Sequence, residues 1–501
     1  MMSYDDSTDP LDGSRASCEL DSSKAPQTGH HQLRSKLSNL ITTGGGPEVT
    51  ADLGEVKTIC QLKSVIKDVK TLPNYQIYYP PVIKEALANL FMEYNQAFKE
   101  IVARNREFPN DYRYCQNSNA SAIPLKKAAP LNYIVQVDMV GLTDNFLSLA
   151  QDCSEAEVRE SIRQGIFEIE NSLAMYQLLE RIFARDGEVG AFSPKFREVL
   201  DEIREVHKKS IAILAVTEEK LKSIRAMEFG REDERVLTDS EVLKLSGFDA
   251  LLGPQDFLEH LSKNSGECRY LLYVRASDPV EKLKNPAVML DNPLLENPRL
   301  RSIIRANTIT LNVDGPNSAA RDRINDTKEY LLKMGMGFKV DSIGSLIDVE
   351  LVQAIAKKVG KVVLEEKMLS PEFKDYLRGV NINPQQLLSG EVLLRGKPLR
   401  GCYGCYGHVR GHLGMSEFRG ELTRGIKKSG EYVIQPEIKT PTIKNLKDGT
   451  RYTFIDRNFL ACTGGEVKFL GGFRTMISVD SNEAKRGRIH GSQDSVYGEI
   501  L

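Results

Sequence analysis

Residues 391–413, EVLLRGKPLRGCYGCYGHVRGHL, constrain the chain more than any other stretch: an apolar run leads into a basic turn and then a glycine-rich loop. Val392, Leu393 and Leu394 suit a buried strand, and Lys397-Pro398 ends it. Gly401, Gly404, Gly407 and Gly411 let the backbone approach a ligand closely, as a loop cradling phosphate through its N–H groups must. Lys397 and Arg400 add the positive charge a polyphosphate needs. A second reading lies on the same residues, because Cys402, Cys405, His408 and His412 form C-x2-C-x2-H-x3-H, a thiolate and imidazole set that zinc accepts. That spacing is tight for aiming four ligands at one ion, and no thioredoxin-like strand and helix flank the cysteine pair for redox work. Small cysteines lining a turn are the plain alternative.

A chain of 501 residues has room for about three domains. Lys plus Arg (67) nearly balances Asp plus Glu (69), so the net charge of -2 gives no reason to expect nucleic acid or an anionic membrane surface. No apolar run approaches the roughly 20 residues of a spanning helix. The N-terminus, MMSYDDSTDPLDGS, lacks the basic region and apolar core of a secretory signal, and the eight cysteines are scattered apart from the 402/405 pair. A cytoplasmic protein with reduced thiols is the expectation.

Residues 1–50, rich in Ser, Asp, Gly and Thr, read as a disordered leader. Pro81 suits the first position of a helix running to about Asn105, with Ile83, Leu87, Leu90, Phe91, Tyr94 and Phe98 on one face. Residues 132–140 read as a strand. Ser154 and Glu157 make a capping box, and Val158, Ile162, Ile166, Ile169, Leu173, Tyr176 and Phe183 follow at helical spacing up to Gly187. A second helix is expected from Phe196 to Ile224, giving a helical hairpin. From Arg269 onward short apolar runs alternate with helices: strands at 270–274 and 308–313, a helix at 322–333, extended chain at 338–343, and a helix at 348–359. Another helix is expected at 417–428, then a strand at 431–438 and an antiparallel pair, 452–460 with 467–477.

This order of elements, with these residues, resembles the ATP-grasp ligases over about residues 300–495. RGKPLRGCYGCYGHV is similar to that family's strand-borne Lys-Pro and glycine-rich phosphate loop, and GEYVIQPEI to its adenine hinge. IDRNFLACTGGEVKFLGGFR resembles its hairpin with a closing arginine, RGRIHGS its anion-contacting segment, and NVDGPNSAARDRINDTKEYLLKMGMGFKV its entry segment. Three departures stand out. Asp456 and Arg457 are adjacent instead of separated by one residue, tyrosines and cysteines make the loop bulky, and only Glu499 stands where the family carries a magnesium-holding Glu and Asn.

The resemblance implies an α+β or α/β chain with ATP-grasp-like C-terminal lobes and a largely helical N-terminal domain. The expected divisions are a leader (1–50), a helical domain (51–245), a pre-ATP-grasp-like α/β domain (246–345) and a nucleotide-binding domain (346–501). It also implies an ATP-dependent carboxylate–amine ligase that forms an amide through an acyl-phosphate on small amino-acid-like substrates. Lys397, Gly401, Gly404, Gly407, Gln435, Glu437 and Ile438 would bind ATP, Asp456 and Glu499 would hold Mg2+, and Arg474, Arg488 and His490 would serve the chemistry. The partners expected are a small carboxylate and an amine, with a homodimer formed through the helical domain. Phosphoryl transfer through His490 is a further reading. The alternative from another class is a non-catalytic interaction protein with a degenerate nucleotide lobe and the helical hairpin as its working surface.

Overall fold

The computed structural model describes residues 27–42, 49–60, 69–107, 133–170, 192–207, 210–215, 249–253, 256, 270–275, 331–332, 334–360, 362–399, 408–463, 466–485, 489 and 495–501. In chain order its strands are β1 (Val49–Ala51), β2 (Lys57–Cys60), β3 (Val69–Ile77), β4 (Tyr133–Val140), β5 (Ile166–Glu170), β6 (Ser210–Ala215), β7 (Ala250–Leu252) and β8 (Tyr270–Arg275). Then come β9 (Phe338–Val340), β10 (Leu394–Pro398), β11 (Val409–Gly411), β12 (Tyr432–Pro436), β13 (Thr442–Asn445), β14 (Arg451–Thr463), β15 (Glu466–Ser478) and β16 (Ser495–Ile500). They form three sheets in a mixed α and β fold. The largest runs β1-β13-β14-β15-β16-β3-β2, with β4 and β5 continuing from the far end of β14; β11-β10-β12-β9 form a small antiparallel sheet, and β7-β6-β8 a parallel one.

The large sheet takes strands from residues 49–170 and from 442–500. The expected boundary between a helical N-terminal domain and a C-terminal nucleotide lobe therefore does not divide the structure: β3, β4 and β5 are built into the same sheet as the β14–β15 hairpin. That hairpin itself, the strand at β12, and helices at Pro81–Glu107, Val349–Val359 and Ser416–Ser429 lie where their sequence patterns predict. Residues 308–313 and most of 322–333 lie outside the described residues.

Three expectations are overturned. Within the supposed leader, α1 (Gln27–Thr42) packs against the helices at 144–150 and 155–164. Leu37 and Ile41, one helical turn apart, are fully buried in the core that contains α2 (Pro81–Glu107). Beyond α1, β1 pairs in parallel with β13.

The long helix from Ser154 is short. α3 (Asp144–Ala150) is followed by α4 (Glu155–Gln164), whose capping box is present as predicted, but Gly165 ends α4 and the chain continues as β5. A Cβ at Gly165 would stand 2.6 Å from Val140 Cγ1, so glycine lets the chain turn directly onto β4. The helical spacing of Ile166 and Ile169 has a different origin. β5 pairs Ile166 with Met139, Glu168 with Asp138 and Ile169 with Val137, so Phe167 is an extra residue, a β-bulge. Across a bulge, residues three apart face the same side, and both isoleucines are buried.

The second helix, α5 (Phe192–His207), likewise gives way to a strand. β6 is the centre of the parallel sheet, between β7 and β8, and central parallel strands commonly read as continuous apolar runs. SIAILA is such a run, so Ile211 and Leu214 match a helical period by default. Residues 166–170 and 210–215 of the expected hairpin are therefore strands, and 171–191 and 216–224 lie outside the described residues. Among the described residues no helix is long and apolar enough to cross a membrane.

Leu37→Ala should cost about 2–5 kcal/mol of unfolding free energy in urea melts, as expected for a buried leucine. Removal of 27–42 should leave an aggregating protein, with light scattering as the measurement.

Candidate functional site

The small sheet has one apolar and one charged face. Leu394, Val409, Tyr432, Ile434 and Val340 are buried in one core cluster with Phe373, Phe418 and Leu422, beneath helices α7 (Pro371–Gly379) and α9 (Ser416–Ser429), which follow α6 (Val349–Val359) and flank α8 (Pro384–Ser389). Strand alternation puts Arg395, Lys397, Arg410, Gln435 and Lys339 on the other face. Glu437 Oε1 accepts from Arg395 Nη2 at 3.1 Å, and Arg410 Nε bonds both Glu437 oxygens at 2.9 and 2.7 Å. Gln435 donates to the Met336 carbonyl at 3.2 Å, and Ile438 lies partly buried at the edge of the main core.

Lys397 is buried. Its Nζ donates to the Phe167 carbonyl at 2.7 Å, so the small sheet's charged face meets the large sheet at the β5 bulge. A bulged residue drops out of the ladder, and the ammonium takes up its carbonyl. β10 and β11 pair antiparallel, Leu394 with Gly411 and Gly396 with Val409, so the glycine-rich segment is the connection of a hairpin. Gly401, Gly404, Gly407, Cys402 and Cys405 lie outside the described residues. His412 is half-buried and packs on Gly390 and Gly414, and among the described residues no group of three or more His, Cys, Asp or Glu is placed to hold a metal ion.

Asp456 and Arg474 face each other across the β14–β15 ladder and are both buried. Arg474 Nε reaches Asp456 Oδ1 at 2.7 Å and Nη2 reaches Oδ2 at 2.9 Å, a bidentate pair. Tyr79 Oη and the Leu142 N–H also donate to Oδ2, at 2.7 and 2.8 Å. Arg474 bonds the Leu142 carbonyl at 2.5 Å and Tyr75 Oη at 2.9 Å, and its guanidinium lies 4.1 Å from the Phe454 ring centroid. Gly498, opposite Arg474 on β16, makes room for the tyrosine: a Cβ there would lie 2.7 Å from the Tyr75 ring. Burial acts to lower the Arg474 pKa, but the Asp456 carboxylate together with Tyr75 and Tyr79 raises it above the usual value; burial drives the Tyr79 hydroxyl well above the ordinary range.

The expected roles of these two residues are therefore corrected. Asp456 has four donors on its two oxygens and presents no face to Mg2+, and Arg474 is locked inside the sheet instead of closing over a substrate. The other expected metal ligand, Glu499, accepts from Gln76 Nε2 at 2.7 Å on the opposite face, because Phe473–Glu499 and Arg474–Gly498 are successive pairs. The residues predicted to hold magnesium do not fit it. Arg488 and His490 lie outside the described residues.

On that opposite face one row crosses five strands: Asp138, Arg457, Phe473, Glu499 and Gln76. Arg457 lies 5.7 Å from the Phe473 ring centroid and 3.7 Å from Asp138, and it donates to the Ile489 carbonyl at 3.3 Å. Gln136, two residues before Asp138, donates to it at 2.7 Å. Sequence reading placed β4 but passed over Gln136 and Asp138. The signal was there: two polar residues at period two in the apolar strand YIVQVDMV mark a polar line on one face.

No family model and no curated protein matches the chain. Among solved structures it is similar to a glutathione synthetase like-effector (GSS30) from Globodera pallida in its apo form, at 10% identity and a TM-score of 0.36, over 95% of this chain and 97% of that one.

Breaking a buried pair strands its partner's charge, so Arg474→Leu should lose about 3–5 kcal/mol of stability. Arg457→Leu, on the other face, should lose distinctly less. Equal losses in chemical denaturation would deny the Asp456–Arg474 pair its structural role.

Proposed function

We propose that the chain is an ATP-dependent carboxylate–amine ligase joining small amino-acid-like substrates through an acyl-phosphate. The observation that carries this reading is the place of Lys397. It stands on the charged face of a small antiparallel sheet, at the entry to a glycine-rich hairpin connection, and its ammonium reaches the large sheet. An ammonium has three donors, so holding the Phe167 carbonyl is compatible with a phosphate contact. ATP, as substrate, would lie along this face, with the glycines at 401, 404 and 407 offering backbone donors and Gln435 to Ile438 flanking the base. Arg457 supplies a guanidinium for a carboxylate. Magnesium has no place on Asp456, whose oxygens are taken by four donors.

A second reading, an interaction protein with a degenerate nucleotide lobe, is favoured by one observation. Asp456 and Arg474 are closed on each other in the interior, where neither serves catalysis. ADP release in the presence of a panel of carboxylates and amines separates the two.

Lys397→Met keeps the aliphatic stem and removes the charge. It should weaken ATP binding by about tenfold or more and, by stranding the Phe167 carbonyl, cost about 1–3 kcal/mol of stability. Unchanged ATP affinity in the folded variant would take Lys397 out of the site and favour the second reading.

A further inference from the structure

We draw no further inference here: the strongest candidate, the pair of fully buried hydroxyls on Thr475 and Thr71 that stand in register on either side of Tyr497 across β15, β16 and β3 without a hydrogen-bond partner among the described residues, carries nothing, because nothing in the structure shows what covers that face of the sheet.

Discussion

The Asp456–Arg474 pair is the interaction on which the large sheet depends. It joins β14 to β15 and reaches beyond them to Tyr75 on β3, to Tyr79 ahead of α2 and to Leu142 in the turn after β4. Three segments far apart in the chain, residues 75–79, Leu142 and the β14–β15 hairpin, thus close on one guanidinium–carboxylate unit. Burying two charges is costly, and what offsets the cost here is saturation: the carboxylate is bidentately paired and its Oδ2 receives two further donors.

Adjacent residues on one strand have opposite fates. Asp456 points to the side where Met139, Arg474 and Gly498 lie and is consumed by the fold, while Arg457 points to the side of Asp138, Phe473 and Glu499. A motif reader meets Asp-Arg as one unit. The pleat separates it into a half held in the Asp456–Arg474 pair and a half on the face of Asp138 and Phe473.

How much was legible follows from which physical signals are local. Capping of α4 by Ser154 and Glu157, Pro81 at the head of α2 and the long β14–β15 hairpin were all readable, because each depends on neighbours in sequence. Ile166 and Ile169 misled because a β-bulge and a helix produce the same spacing of three, and β6 because a central parallel strand has no period to contradict a helix. α1 was missed for another reason: Leu33, Leu37, Leu40 and Ile41 keep helical register inside a segment whose overall composition resembles disorder. Lys397 was singled out from its place before the glycines, but its bond to Phe167 is not local, and Gln136 and Asp138 come to face Arg457 and Phe459 only once β4 is paired with β14.

The neighbours of β16 have a consequence for how the protein is made. β16 pairs with β15 on one edge and in parallel with β3 on the other, joining Glu499 to Gln76 across 423 residues. At ribosomal rates of about 5–20 residues per second, the β2–β3 ribbon waits on the order of half a minute or more for its partner, with one edge of β3 unpaired. Nascent chains of this protein are accordingly expected to be clients of chaperones that shield strand edges, and fragments ending before residue 495 to be the aggregation-prone ones.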